Sequence, residues 1–301
     1  MKQNVFFKNR QIDVAADLYL PEGLDRSKRY AAIVIAHPGS SCKEQTASIY
    51  ASKLAGKGFV TLAVNASYQG ESGGEPRDIE DPATRMEDIR CGIDYLVTLP
   101  YVDPERIGAL GICAGGGYVA NVAMTERRIK AVGTAAGANI GRIYRGASVE
   151  SAIQTLEQVG RQRTAEAQGA EPLIVPWVTE ENKDAENIDL REAYAYYCTP
   201  RGQHPCSTNR LRFTSLANVM AFDSMLMVDS LLTQPLEIIV GDKVGAFGSY
   251  DTGKELYEKA ASKDKDLYVI EGASHYDIYD NPDVTDKAVA KLAEFYHRVL
   301  K

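Results

Sequence analysis

One stretch constrains this chain more than any other: Leu110-Gly111-Ile112-Cys113-Ala114-Gly115-Gly116-Gly117. A run of small and β-branched residues from Arg106 to Ile112 stops at a cysteine, and a helix-compatible stretch from Tyr118 to Met124 follows. The pattern is Gly-x-nucleophile-x-Gly, with cysteine where serine is usual. A nucleophile held on a sharp strand-to-helix turn sits in a strained backbone conformation. The residues two before and two after it must be nearly free of side chain, or strand and helix collide. The helix that begins there aims its amino end at the sulfur, which favours a thiolate and the oxyanion of a tetrahedral intermediate. The plainer alternative is a glycine-rich turn around a buried structural cysteine, and the rest of the chain has to decide.

The flanking sequence alternates short apolar runs with amphipathic stretches. Val5 to Phe7 and Asp13 to Leu20 read as a hairpin. Tyr30 to Ala36 is uninterrupted and apolar, the mark of a strand buried on both faces of a sheet. A helix is expected from about Glu44 to Lys57, a strand over Phe59 to Val64, and a helix over Thr84 to Leu99 with Met86, Ile89, Ile93, Leu96 and Val97 on one face. Ile129 to Ala136, Pro235 to Val240 and Asp266 to Ile270 supply further strands, and helices are expected over Gly253 to Ser262 and Val284 to Leu300. This alternation predicts an α/β fold, a mostly parallel twisted sheet of about eight strands with helices on both faces.

From about Ala138 to Asn218 the pattern changes to a polar, Arg- and Tyr-rich segment with no buried strand. A structureless loop of that length does not suit a compact domain. Residues 138–218 are therefore expected to form a helical lid inserted into a core made of residues 1–137 and 219–301.

Composition narrows the function. A net charge of -7 over 301 residues argues against nucleic acid and offers no basic membrane patch. No apolar run approaches the ~20 residues needed to cross a bilayer, and the amino terminus has no signal-peptide core, so a cytoplasmic location is expected. Five widely spaced cysteines without Cys-x-x-Cys suit a reduced compartment rather than a disulfide framework or zinc knuckle. The four histidines show no metal-ligand spacing. No metal or cofactor is expected, and the partner is expected to be a small-molecule substrate. A homodimer is left open.

In an open parallel sheet, ligands bind beyond the carboxyl ends of the strands. Cys113 leaves one strand there; a helix amino end and a histidine can lower its pKa well below the usual ~8.5. His275, in Gly272-Ala273-Ser274-His275-Tyr276-Asp277, follows the last strand and can hang over the elbow. His37 is the poorer base because a His-Pro-Gly turn braces its own loop. An acid that orients the imidazole should leave the penultimate strand. Asp242 lies at that exit and is preferred; Asp251, nine residues on, is the alternative and can instead cap the next helix. Two backbone donors are needed for an oxyanion. The amide of Ala114 is one, and Gly39 is preferred over Ser40 for the other because Pro38 has no N–H. Tyr68 to Gly74 lacks the order of a phosphate cradle and reads as a loop bordering the site. Tyr68, Tyr144, Trp177, Tyr197 and Arg201 are candidates for lining a substrate pocket, though such a stripe also serves simply to pack a lid on a sheet.

These features together resemble the α/β-hydrolase family over nearly the whole chain, and the cysteine nucleophile is similar to its dienelactone hydrolase branch. Tyr196 to Pro205, Gly245 to Tyr250 and Ser274 to Asp280 resemble a bacterial and fungal group labelled dienelactone-hydrolase-like, some fungal members of which are polyketide transferases. The resemblance implies ester, lactone or thioester hydrolysis with Cys113, His275 and Asp242 as triad. Acyl or polyketide transfer by the same triad is the alternative, and a non-catalytic binding protein on the same fold is the third. Two departures stand out. Dienelactone hydrolase proper is shorter and lacks the insertion, and the usual spacing of the acid falls on Val244.

Overall fold

The structure is a computed structural model that describes residues 1–146 and 148–301. Eight strands form one sheet in the order β1-β2-β4-β3-β5-β6-β9-β10. They are β1 (Lys2–Asn9), β2 (Ile12–Tyr19), β3 (Tyr30–Ala36), β4 (Val60–Val64), β5 (Val102–Ile112), β6 (Ile129–Ala135), β9 (Leu236–Gly241) and β10 (Lys265–Ile270). β2 pairs antiparallel with β1 and β4, and the other pairs are parallel. The burial patterns explain the two kinds of strand. β1 alternates exposed and half-buried residues, as an edge strand does, whereas β3 is buried along nearly its whole length between two helical layers.

Helices α1 (Ser48–Ala55), α2 (Pro82–Thr98), α3 (Ala114–Thr125), α9 (Ser249–Lys259) and α11 (Pro282–Val299) follow the expected stretches within a few residues. Between β6 and β9 lie α4 (Ile140–Arg145), α5 (Val149–Ala167), α6 (Ile188–Tyr197), α7 (Leu216–Ala221) and α8 (Val228–Leu231), with a two-stranded ribbon of β7 (Ile174–Val175) and β8 (Leu211–Arg212). The short α10 (Asp277–Asp280) follows β10.

Two apolar clusters fill the two faces of the sheet. One packs Val34, Leu62 and Val132 against Ile93 and Val119; the other packs Ile33, Ile35 and Leu110 against Leu54, Leu292 and Tyr296. Chain order reverses at the centre. From β3 the chain crosses to β4 on one side, and β5 pairs on the other. The loops after β3 and β5 therefore diverge and leave a crevice at the carboxyl edge.

Candidate active site

Cys113 directly follows β5 and caps α3 with φ 53° and ψ -122°, a region a non-glycine residue enters only under strain. The glycines beside it are a packing requirement. A Cβ on Gly111 would lie 2.1 Å from the carbonyl oxygen of Gly115, and one on Gly115 would lie 2.3 Å from that of Ala36. The turn exists only because neither residue has a side chain. It presents the sulfur at the floor of a cavity of about 320 Å³, lined by Gly39, Tyr144, Trp177, Tyr197, Phe247 and Tyr276 among others.

Gly39 and Ala114 line the same cavity as the sulfur, and their backbone amides favour its ionised form. Gly39 is held from two sides. The Trp177 ring lies over it, so that a Cβ there would meet the ring at 3.1 Å, and the Tyr197 hydroxyl donates to its carbonyl at 3.1 Å. His37 turns away from the sulfur. Its Nδ1 lies 2.6 Å from the Pro38 carbonyl, its Nε2 accepts from the Ala66 amide at 3.1 Å, and Arg85 packs on it.

His275 is 2 % exposed and stands on the same side of the sheet. Its Nε2 lies 3.1 Å from the hydroxyl of Tyr279. Tyr279 in turn lines the same cavity as Cys113 and favours the ionised form of its thiol. Tyr279 belongs to the short α10, and its place in the sequence assigns it no role. Burial disfavours an ion pair at rest. It pushes the Cys113 thiol up to about 11, against the lowering pull of Tyr279 and of the Ala114 and Gly39 amides. Burial also drives His275 down to about 3. The expected lowering of the thiol by a helix end and a histidine is outweighed by the loss of solvent around it.

The structure does not bring Asp242 to the imidazole. Its side chain is exposed, and its carboxylate accepts the Gly272 amide at 2.7 Å, closing the β9 and β10 ends together. Asp251 is exposed in the first turn of α9. The carboxylate that does approach the site is Asp189 of α6, 1 % exposed, held up to about 6 by burial and close enough to raise the Cys113 thiol. In sequence it reads as an acidic residue in the first turn of a helix, a common place for one on the surface.

Tyr144, Trp177 and Tyr197 line the cavity. Tyr68 and Arg201 do not. Tyr68 has φ 71° and packs against Gly74 within its own loop. Arg201 is engaged by Asp280 at 2.6 Å and lies 6.0 Å from the Tyr196 ring centre. Away from the crevice, Cys42, Glu44 and His204 come within 4.8 Å of one another. There the His204 Nδ1 is 3.6 Å from the Cys42 sulfur, and the Lys43 ammonium neutralises Glu44.

The family model described as serine aminopeptidase, S33, matches residues 27–283. The chain is an α/β-hydrolase. Cys113 stands at the elbow where that description leads one to expect serine. The protein YcjY of Escherichia coli K12, itself uncharacterized, is 44% identical over 308 residues, covering 100% of both chains. The crystal structure of the hypothetical protein PA2218 from Pseudomonas aeruginosa superposes with a TM-score of 0.91 at 34% identity, covering 99% of this chain and 94% of that one. A protein named acyltransferase DrtE, from Aspergillus calidoustus, is 24% identical and covers 91% of this chain and 89% of its own length. No described helix of this α/β-hydrolase is long and apolar enough to cross a membrane.

Proposed function

We propose that this α/β-hydrolase cleaves a carboxylic ester, lactone or thioester through an acyl-enzyme on Cys113. The observation that supports the reading is the strained elbow that presents the sulfur to a cavity also lined by Gly39 and Ala114, whose amides favour its ionised form. A carbonyl carbon brought against that sulfur has its oxygen beside both donors, the arrangement that stabilises a tetrahedral oxyanion.

The proton inventory follows from the resting state. Burial disfavours both the thiolate and the imidazolium, so the thiolate forms as the reaction proceeds. As the sulfur–carbon bond forms, the carbonyl π pair moves to oxygen. The thiol proton passes to the Tyr279 hydroxyl as that hydroxyl gives its own to His275 Nε2. The phenol ends the step unchanged, which suits a buried group whose ionisation is pushed well above its ordinary value. Collapse restores the carbonyl and expels an alkoxide or thiolate, which takes the proton from the imidazolium. Water then repeats the sequence on the acyl-enzyme. The aromatic walls suit an apolar acyl group.

Acyl transfer is the second reading, since DrtE bears the name acyltransferase and the same acyl-enzyme would serve an alcohol or thiol acceptor. A series of p-nitrophenyl esters and acyl-thioesters of graded length tests both. The expected result is a burst of about one equivalent of p-nitrophenol per chain, a matching acyl adduct on Cys113 by intact mass, and loss of roughly a thousandfold or more of turnover in Cys113→Ala. Wild-type turnover in that variant sinks the reading. Ester products outweighing acid when alcohol is added favour transfer over hydrolysis.

A further inference from the structure

The loop after β9 provides no acid to His275, yet the space where such an acid would sit is filled. Asp242 faces solvent and the Gly272 amide, and Val244, where the usual spacing places the acid, is 57% exposed. The next residue is Gly245. A Cβ built on it would lie 2.1 Å from Cγ of Asp189 and 2.3 and 2.4 Å from its two oxygens. A side chain rooted in this loop and the carboxyl group of Asp189 therefore compete for one volume, and the glycine yields it.

The mooring of α6 is consistent with that substitution. The Asn187 side chain caps α6 by accepting the Asp189 and Leu190 amides, and it also accepts the Ala246 amide at 3.0 Å. Asp189 Oδ2 accepts the Phe247 amide at 2.8 Å. One turn on, Glu192 accepts the hydroxyl of Ser274, the residue before His275, at 2.6 Å. The Phe247 ring lies 5.3 Å from the imidazole. The same face of α6 thus grips the loop after β9 and the turn that carries the histidine.

Among the described residues, two buried polar atoms in this neighbourhood have no hydrogen-bond partner: Asp189 Oδ1 and His275 Nδ1. One can only accept, and the other is the ring nitrogen left over once Nε2 has engaged Tyr279. Unpaired, each leaves a costly buried polar group; paired, both are satisfied. We propose that Asp189, contributed by the insertion, is the carboxylate that positions His275 during acyl transfer to Cys113, in the place an acid from the loop after β9 would otherwise hold. The inference rests on the acyl-enzyme reading. In it, Nδ1 carries the proton and donates to Oδ1, Nε2 stays free to accept through Tyr279, and the carboxylate balances the imidazolium that forms.

Asp189→Asn tests this in the full chain, because an asparagine can still accept the Phe247 amide. The first readout is alkylation of Cys113 by iodoacetamide, followed by peptide mass at pH 7–8 with Cys91 as internal reference. A carboxylate that is merely nearby disfavours the thiolate, so removing it would speed alkylation. A carboxylate that holds the imidazolium favours the thiolate–imidazolium pair, so removing it slows alkylation. We expect slowing of at least about tenfold, and a loss of roughly a hundredfold to ten-thousandfold in kcat/KM on the best ester. The acid limb of the rate profile moves to lower pH, since an imidazole without its carboxylate protonates less readily. Faster or unchanged alkylation overturns the proposal, as does Asp242→Asn costing more than Asp189→Asn. Should Asp189→Asn melt early, Asp189→Ser keeps an acceptor for Phe247 and carries the same measurements. His275→Ala separates the two levels. If it leaves alkylation and turnover intact, the acyl-enzyme reading falls; if it slows both while Asp189→Asn slows neither, only the role of Asp189 falls.

Discussion

The carboxyl edge of the sheet and the segment that covers it are built on different principles. At the edge, positions are dictated by the backbone. Cys113 sits where it does because β5 must turn into α3 past two residues without side chains, and the Gly39 loop follows because β3 lies next to β5. In the covering segment, positions are dictated by docking. Trp177 is placed by its indole N–H on the Arg210 carbonyl at 3.1 Å and by the Gly39 loop beneath it; Asp189 is placed by the loop after β9. The first kind of order is local and rigid. The second is assembled from contacts between residues far apart in the chain, and it shapes what reaches the sulfur.

That contrast can be broken or sharpened by three measurements. The largest effect belongs to Gly115→Ala. The added methyl meets backbone at 2.3 Å with no flexible neighbour to yield, so a loss of about 3 kcal/mol or more in unfolding free energy is expected, with activity lost alongside. A denaturant melt within 1 kcal/mol of wild type, an order-of-magnitude bound, would mean that the elbow is softer than its geometry.

Next comes acid sensitivity. His275 and His37 are both buried neutral, with folded pKa values pushed below the unfolded ~6.5. The unfolded chain therefore binds more protons as pH falls beneath that value. Stability contributed by each histidine is fully present above pH ~6.5 and is lost on acidification, by at most about 1.4 kcal/mol per pH unit per histidine. Melting temperature should drop between pH 7.5 and pH 5, and His275→Gln should flatten the slope. An unchanged slope would remove His275 from the account.

The smallest effect is expected in the covering segment. Trp177→Ala should raise KM for an aromatic or long-chain ester about tenfold, near 1.4 kcal/mol, and leave the melting temperature of the core nearly unaltered. If it instead unfolds the chain, the distinction between edge and cover fails.

The same distinction explains what could be read from the residues alone. Tyr30 to Ala36 is a strand because an unbroken apolar run of that length is buried on both sides, and the sequence boundaries match β3. That Cys113, Ala114 and Gly39 meet at one crevice was legible because glycine and proline placement limits the backbone directly. That His275 follows the last strand was legible from strand order. Asp242 was a reasonable expectation from strand order, yet its carboxylate closes on the Gly272 amide. The burial of Tyr279 and Asp189 beside the crevice left no local signal. Each is buried against neighbours supplied from elsewhere in the chain, and periodicity reports which face of a helix is buried without naming what it is buried against. Arg201 shows the converse, a charged residue that suggested a ligand and is engaged by Asp280 instead.

The Tyr197 hydroxyl on the Gly39 carbonyl has a consequence for anyone who would trim or exchange the cover. That bond fastens the far end of α6 to the very loop that lines the cavity beside the sulfur. A graft of residues 138–218 from a relative would therefore alter catalytic power together with substrate preference. A minimal version shorn of this segment would retain a sulfur on a bend without the clamp that steadies the loop beside it.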